Sequence, residues 1–252
     1  MEKLKRIDYW YSKPLGEQLK RLEVTYIDAL LPRLPGDTLL QIGGPSDGSF
    51  VTKSACKQNF FCSLDGSLSH TMPTFCADLE SLPLHDQSLD VAMLLHALPS
   101  VDDPLDVLRQ LHSALKPGAK MLIMGFNPWS AWGVQQRWGS QRDFPWGNRF
   151  LSLSKLKRWL RTLNLQMLTV DHFCFSLPVQ SAGSWHHSAF VEILGRQLFP
   201  IFGGVYIMLV EKRRSGMTPL PRKWFWRRSR PSVGGWAGST NRYLNESQDE
   251  KN

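Results

Sequence analysis

The chain has 252 residues, with 30 Lys and Arg against 22 Asp and Glu, giving a formal net charge of +8. Its 42% hydrophobic and 21% charged residues exclude a disordered composition and bound the answer to one large domain, with or without an extension. A basic balance invites a nucleic-acid or anionic-membrane reading, but residues 1–211 hold 20 basic and 19 acidic side chains, and residues 212–252 hold 10 and 3.

The opening MEKLKRIDYWYSKPLGEQLKRLE has no apolar h-region, so no secretory signal is expected. No run of 18 apolar residues predicts a transmembrane helix. Cysteines stand at 56, 62, 76 and 174 without a C-x-x-C pair. That spacing suits neither zinc nor a disulfide framework, so reduced thiols in a cytoplasmic protein and no metal site are expected.

Leu15, Leu19, Leu22, Tyr26 and Leu30 form one apolar stripe and predict a helix over 14–31, ended by Pro32 and Pro35-Gly36. Short apolar runs bounded by Gly, Pro or Asp predict buried strands at 38–42, 60–64, 74–77, 89–95 and 121–125. Between the last two, Asp103 is a natural N-cap and Pro104 a first helical residue. Leu105, Leu108, Leu111 and Leu115 then line a helix that Lys116-Pro117-Gly118 ends. Residues 126–149 read as a loop rich in Trp, Gly and Pro. A helix is expected near 154–163, strands at 166–176 and 204–212, and a helix around Ala189–Leu198. Alternating strands and helices predict an α/β, doubly wound, mostly parallel sheet. From Arg213 onward, Pro and Gly without periodicity predict a flexible tail.

In such sheets ligands bind beyond the carboxyl ends of the strands. The residues there are Gly43-Gly44-Pro45-Ser46-Asp47-Gly48, Asp65, Asp78-Leu79, His96 and Phe126-Asn127-Pro128. A carboxylate after the second strand suits paired ribose hydroxyls, which nicotinamide dinucleotides also carry. The glycine string is not G-x-G-x-x-G: Pro45 removes a donor and Asp47 opposes a phosphate, so a ligand without phosphates fits better.

The passage from Asp78 to Val91 (DLESLPLHDQSLDV) and that from Val107 to Ile123 (VLRQLHSALKPGAKMLI) resemble two blocks of class I S-adenosylmethionine-dependent methyltransferases of the small-molecule "type 11" kind. The likeness covers about residues 38–175. The blocks WYSKPLG (10–16), LLQIG (39–43) and GFNPWSAWG (125–133) resemble a narrower bacterial subgroup. The resemblance implies a Rossmann-like seven-stranded sheet with an antiparallel final strand, and S-adenosylmethionine as cofactor. It implies that Gly43 and Gly44 let the backbone approach the methionine moiety. Asp65 would hold the ribose hydroxyls, Asp78 with Leu79 the adenine, and His96 would lie near the methionine end or the acceptor. The family's first motif carries an acidic residue where Gln41 stands, and glycines at Pro45 and Asp47. Gln41 can accept a hydrogen bond but does not neutralise the cofactor's ammonium group.

Each of these positions has a plainer reading. Asp65 and Asp78 also serve as turn residues. His96, the candidate catalytic residue, is either a packed core histidine or a base, and no partner carboxylate is identifiable from the sequence. Trp129, Trp132, Trp138 and Trp146 form either a lid over an apolar acceptor or a satellite core. Asn127-Pro128-Trp129 follows the fifth strand, not the fourth, so it is not read as an amino-methyltransferase motif.

The expected organisation is an N-terminal helical segment (1–33), a Rossmann-like methyltransferase domain (34–212) and a flexible basic Trp/Arg-rich tail (213–252). The expected activity is methyl transfer to a small or lipophilic acceptor. The alternatives are a degenerate fold acting as a binding or scaffold protein, and an RNA-directed methyltransferase. Residues 212–230 interleave cations with aromatics, which suits nucleic acid, an anionic membrane surface or a merely solubilising tail.

Overall fold

Seven strands share one sheet in the order β3-β2-β1-β4-β5-β7-β6. They are β1 (Gly36–Gly43), β2 (Cys56–Ser63), β3 (Thr74–Cys76), β4 (Leu89–Leu95), β5 (Leu115–Phe126), β6 (Leu165–Phe173) and β7 (Val205–Lys212). The pairs among β1 to β5 are parallel, and β7 runs antiparallel to both β5 and β6. The computed structural model describes residues 6–63, 69, 71–138, 150–175 and 201–214. All of these lie in one compact unit, Met1–Ser215. Asp65, the expected helix around Ala189–Leu198 and the tail beyond Arg214 lie outside the described residues.

Side-chain alternation divides the core into two layers, because successive strand residues point to opposite faces. Leu39, Val91, Met93, Leu95, Leu122, Met124 and Phe126 face a layer that includes α1 (Arg6–Tyr11) and α2 (Pro14–Leu30). Leu40, Ile42, Ala92, Leu94, Met121 and Ile123 face α3 (Pro104–Ala114) and α5 (Leu153–Thr162). The Asp103 carboxylate accepts from the Leu105 and Asp106 amides and starts α3 as expected. Ser152 caps α5 through the Lys155 amide.

Four details depart from the sequence reading. The buried line of α2 is Leu15, Leu19, Glu23 and Ile27, with Leu22, Tyr26 and Leu30 only partly buried beside it. The helix is rotated so that a carboxylate enters the core. Second, β5 starts at Leu115 rather than 121, because the chain leaves α3 directly into strand, with Gly118 at φ +86°. Third, the expected loop 126–149 contains a helix, α4 (Ala131–Trp138), after Asn127. The Asn127 amide donates to the Ile201 and Gly203 carbonyls and its oxygen accepts from the Trp129 amide, locking this corner. Fourth, Lys212 belongs to the fold rather than to a ligand-binding tail. Its ammonium donates to the His112 and Leu115 carbonyls at 2.6 and 2.8 Å, and burial lowers its pKa. No described helix is long and apolar enough to cross a membrane.

Candidate active site

Strand order reverses beside β1, which has β2 on one flank and β4 on the other. This is the switch point at which open α/β sheets form a crevice. Gly43 closes β1 opposite Leu95, the last residue of β4. Both Gly43 (φ +75°) and Gly44 (φ +71°) are left-handed. A Cβ on Gly43 would sit 2.4 Å from the Leu95 carbonyl oxygen, so only glycine lets β1 and β4 end this close together. A Cβ on Gly44 would press on Phe50 and Leu95 at 3.1 Å.

Immediately after β4 stands His96, also left-handed at φ +52°. A non-glycine residue in that region costs about 1–3 kcal/mol, which surrounding contacts must offset. The His96 amide donates to the Met124 carbonyl of β5 at 3.0 Å. Its ring packs on Phe126 with centroids 4.5 Å apart. Its Nε2 lies 2.8 Å from Glu23 Oε1, and the Tyr11 hydroxyl donates to Glu23 Oε2 at 2.8 Å. His96 and Glu23 are fully buried, and Tyr11 is 4% exposed. Burial, then the adjacent Glu23 charge, pushes the Tyr11 phenol well above its ordinary value, so it remains a donor. An ionised Glu23 at this distance calls for an N–H on His96 Nε2.

Gln41 lies under the glycine loop. Its amide nitrogen donates to the Gly43 and Pro45 carbonyls at 3.0 and 3.1 Å. A carboxylate could not make either bond, so the departure from an acidic residue matches this loop. The Gln41 Oε1 is buried without a partner among the described residues, so it suits a donor such as an ammonium group. Asp47 does not stand as an uncompensated charge: it pairs with Lys20 of α2 and accepts from the Ser49 amide. Burial raises its pKa, but these hydrogen bonds prevail and the net shift is downward. Asp8 of α1 accepts from the Ser46 amide and hydroxyl at 3.0 and 2.9 Å. The two N-terminal helices are therefore tied to the loop from above.

Asp78 is exposed and its carboxylate accepts from the Glu80 amide at 3.2 Å, while Leu79 is buried. Trp132 is fully buried and stacks on Phe126, which also stacks with Phe150, so it is core rather than lid. Trp129 is 70% exposed; the side chains of Trp138 and Trp146 lie outside the described residues. The sequence reading missed Glu23. Its signal was the i+4 series Leu15, Leu19, Ile27 and Leu31, in which Glu23 is the sole polar member. A cleft of about 760 Å³ runs between the end of the glycine loop (Asp47, Gly48) and β2 (Asn59, Phe60), with Thr71 beside it; neither His96 nor Glu23 lines it.

A parallel sheet with this order, an antiparallel seventh strand and a glycine turn at the switch point defines the class I methyltransferase fold. Residues 25–170 match a family described as a methyltransferase domain. The chain belongs to that family of S-adenosylmethionine-dependent methyltransferases. It is 27% identical over 235 residues to the Escherichia coli (strain K12) protein YafS, covering 92% of this chain and 91% of that one. It is also 27% identical over 150 residues to a malonyl-[acyl-carrier protein] O-methyltransferase of Hamiltonella defensa, covering 52% and 58% of the two chains. Among solved structures, a methyltransferase from Thermotoga maritima superposes with a TM-score of 0.63 at 18% identity, covering 83% of this chain and 95% of that one. One from Archaeoglobus fulgidus gives 0.57 at 18% identity, covering 77% and 94%.

Proposed function

We propose that this protein moves the methyl group of S-adenosylmethionine to a small, apolar acceptor in the crevice between β1 and β4. The observation that carries the reading is the buried His96, one residue beyond the Leu95 that pairs with Gly43 at the switch point, its ring packed on Phe126. When bound, the cofactor supplies an activated methyl on a sulfonium. Gly43 and Gly44 would admit its methionine part, and the Gln41 Oε1 would accept from its ammonium group. Asp65 would take the ribose hydroxyls, and Asp78 with Leu79 would border the adenine. The Phe126 ring beside His96 favours a neutral, lipophilic acceptor. Methyl transfer depends mainly on in-line positioning, worth many orders of magnitude in effective concentration.

Calorimetry with S-adenosylmethionine and S-adenosylhomocysteine tests this reading. Binding of both is expected, weakened about 10- to 100-fold by Asp65→Ala, in keeping with the loss of hydrogen bonds to a charged group. Folded protein that binds neither compound would overturn it and return the chain to the binding or scaffold alternative.

A further inference from the structure

We infer that Glu23, backed by Tyr11, is a positioning residue that makes His96 a proton acceptor, and that the acceptor is methylated at a hydroxyl oxygen. The inference rests on the proposed methyl transfer at the β1–β4 crevice. Its basis is a continuous buried chain: Tyr11 hydroxyl to Glu23 Oε2, then Glu23 Oε1 to His96 Nε2, each contact 2.8 Å. A fastening of α2 to the sheet needs no ionisable pair; burying one costs free energy that apolar residues would not. Nor does a fastening need a histidine held in a left-handed turn at the carboxyl end of β4. Both features are what a base requires: a fixed tautomer and a nearby counter-charge for the imidazolium.

The base discriminates among acceptors. A carboxylate has no proton to give at neutral pH and gains nothing from His96. A protonated amine must shed its proton before it can attack, and both oxygens of Glu23 are already engaged by Tyr11 and His96. A hydroxyl keeps its proton until the methyl arrives and then must lose it. In the balanced step the O–H bond breaks toward His96 Nδ1 and an O–CH₃ bond forms. The S–CH₃ bond breaks with its electron pair remaining on sulfur. The imidazolium, balanced by Glu23, later returns its proton to solvent.

Charged and titratable groups around the ring come from α1 (Tyr11, with Asp8 beyond it) and α2 (Glu23). Among the described residues, β5 contributes the Met124 carbonyl and the Phe126 ring to the contacts of His96. His96 is covered, so the acceptor reaches it only when the cover lifts. Two of the cover's ties, Asp8–Ser46 and Lys20–Asp47, lie at or near the surface, where such contacts are weak.

Two measurements on the full chain test this. The first is ¹⁵N NMR of the imidazoles in the S-adenosylhomocysteine complex. Neutral His96 carrying its proton on Nε2, with a protonation midpoint that moves in Glu23→Gln, is expected. A proton on Nδ1, or a midpoint indifferent to Glu23→Gln, would overturn the inference. The second uses methyl-labelled S-adenosylmethionine and a metabolite extract of the source cells. Base-stable, neutral, ether-type label is expected. It should fall about 10²- to 10⁴-fold in His96→Gln and about 10-fold or more in Glu23→Gln, whose acid limb of rate against pH shifts downward. The milder Tyr11→Phe keeps the fold and loses less. Label released by mild base marks a carboxyl ester, label held as a cation at acid pH marks an amine, and either overturns the hydroxyl assignment. Absence of cofactor binding, by contrast, strikes the methyltransferase reading itself.

Discussion

Gly16→Ala is a demanding test of how the N-terminal helices complete the site. A Cβ there would lie 2.1 Å from the Trp10 carbonyl oxygen and 2.8 Å from Tyr11 Cα. Both are backbone atoms, so no rotamer change relieves the contact. The α1 segment must retreat by roughly an ångström or more to regain ordinary van der Waals separation. A shift of that size stretches the 2.8 Å Tyr11–Glu23 hydrogen bond beyond use. Overpacking of this kind costs about 1–3 kcal/mol, and a lost hydrogen bond to a charged group adds about 1.5–3 kcal/mol. Taken together, about 2.5–6 kcal/mol, the change lowers Tm by about 5–24 °C in a domain of this size. Melts followed by circular dichroism would read it. A double-mutant cycle sharpens it: Tyr11→Phe destabilises the wild-type protein but adds little to Gly16→Ala. Gly16→Ala melting within about 1 °C of wild type would refute the reasoning, as would an undiminished Tyr11→Phe effect in its background.

Gln41→Glu, which restores the family's acidic residue, turns two donated hydrogen bonds into carboxylate–carbonyl repulsion; it costs about 1–3 kcal/mol and weakens S-adenosylhomocysteine binding, whereas tighter binding would contradict the role assigned to the amide. Asp90 accepts from the Asp37 and Thr38 amides and from Lys116. Burial raises its pKa, but the Lys116 and backbone hydrogen bonds prevail and hold it below the usual value. Its stabilisation is therefore full above the unfolded pKa, about 3.9, and is lost as pH falls through the lower folded value. Urea midpoints should separate wild type from Asp90→Asn at pH 7 and converge in strong acid; an equal gap at both would contradict this. Among the described cysteines Cys76 is exposed while Cys56, Cys62 and Cys174 are buried, and burial raises the Cys62 thiol to about 12. A chromogenic disulfide should react quickly with one native thiol, a reaction abolished by Cys76→Ser.

The strands were legible because buried parallel strands are short apolar runs between turn residues, and Leu89–Leu95 was read to the residue. Of the candidate site, the strand-end positions were legible, and the roles given to them are proposals. Gly43 and His96 follow from the rule that ligands lie beyond the carboxyl edge. What escaped was the partner brought by tertiary packing. Glu23 is 73 residues from His96 and sits on a helix whose apolar stripe reads equally well through Leu22 and Tyr26. Periodicity gives a helix face to within one residue's rotation, and here that rotation decides whether a carboxylate is inside or outside. Helix α4 escaped because Trp, Gly and Pro around it mimic a loop, although Trp132 is one of its core anchors. Asp47 looked like an opposing charge until Lys20, distant in sequence, paired it.

A crystal structure of the protein with S-adenosylhomocysteine tests the central claim most directly. The expected result has the methionine part over Gly43 and Gly44 and the sulfur turned toward the His96 side of the β1–β4 crevice. A ligand seated instead in the cleft beside Asn59 and Thr71, or a crevice closed by its own side chains with no ligand bound, would contradict it.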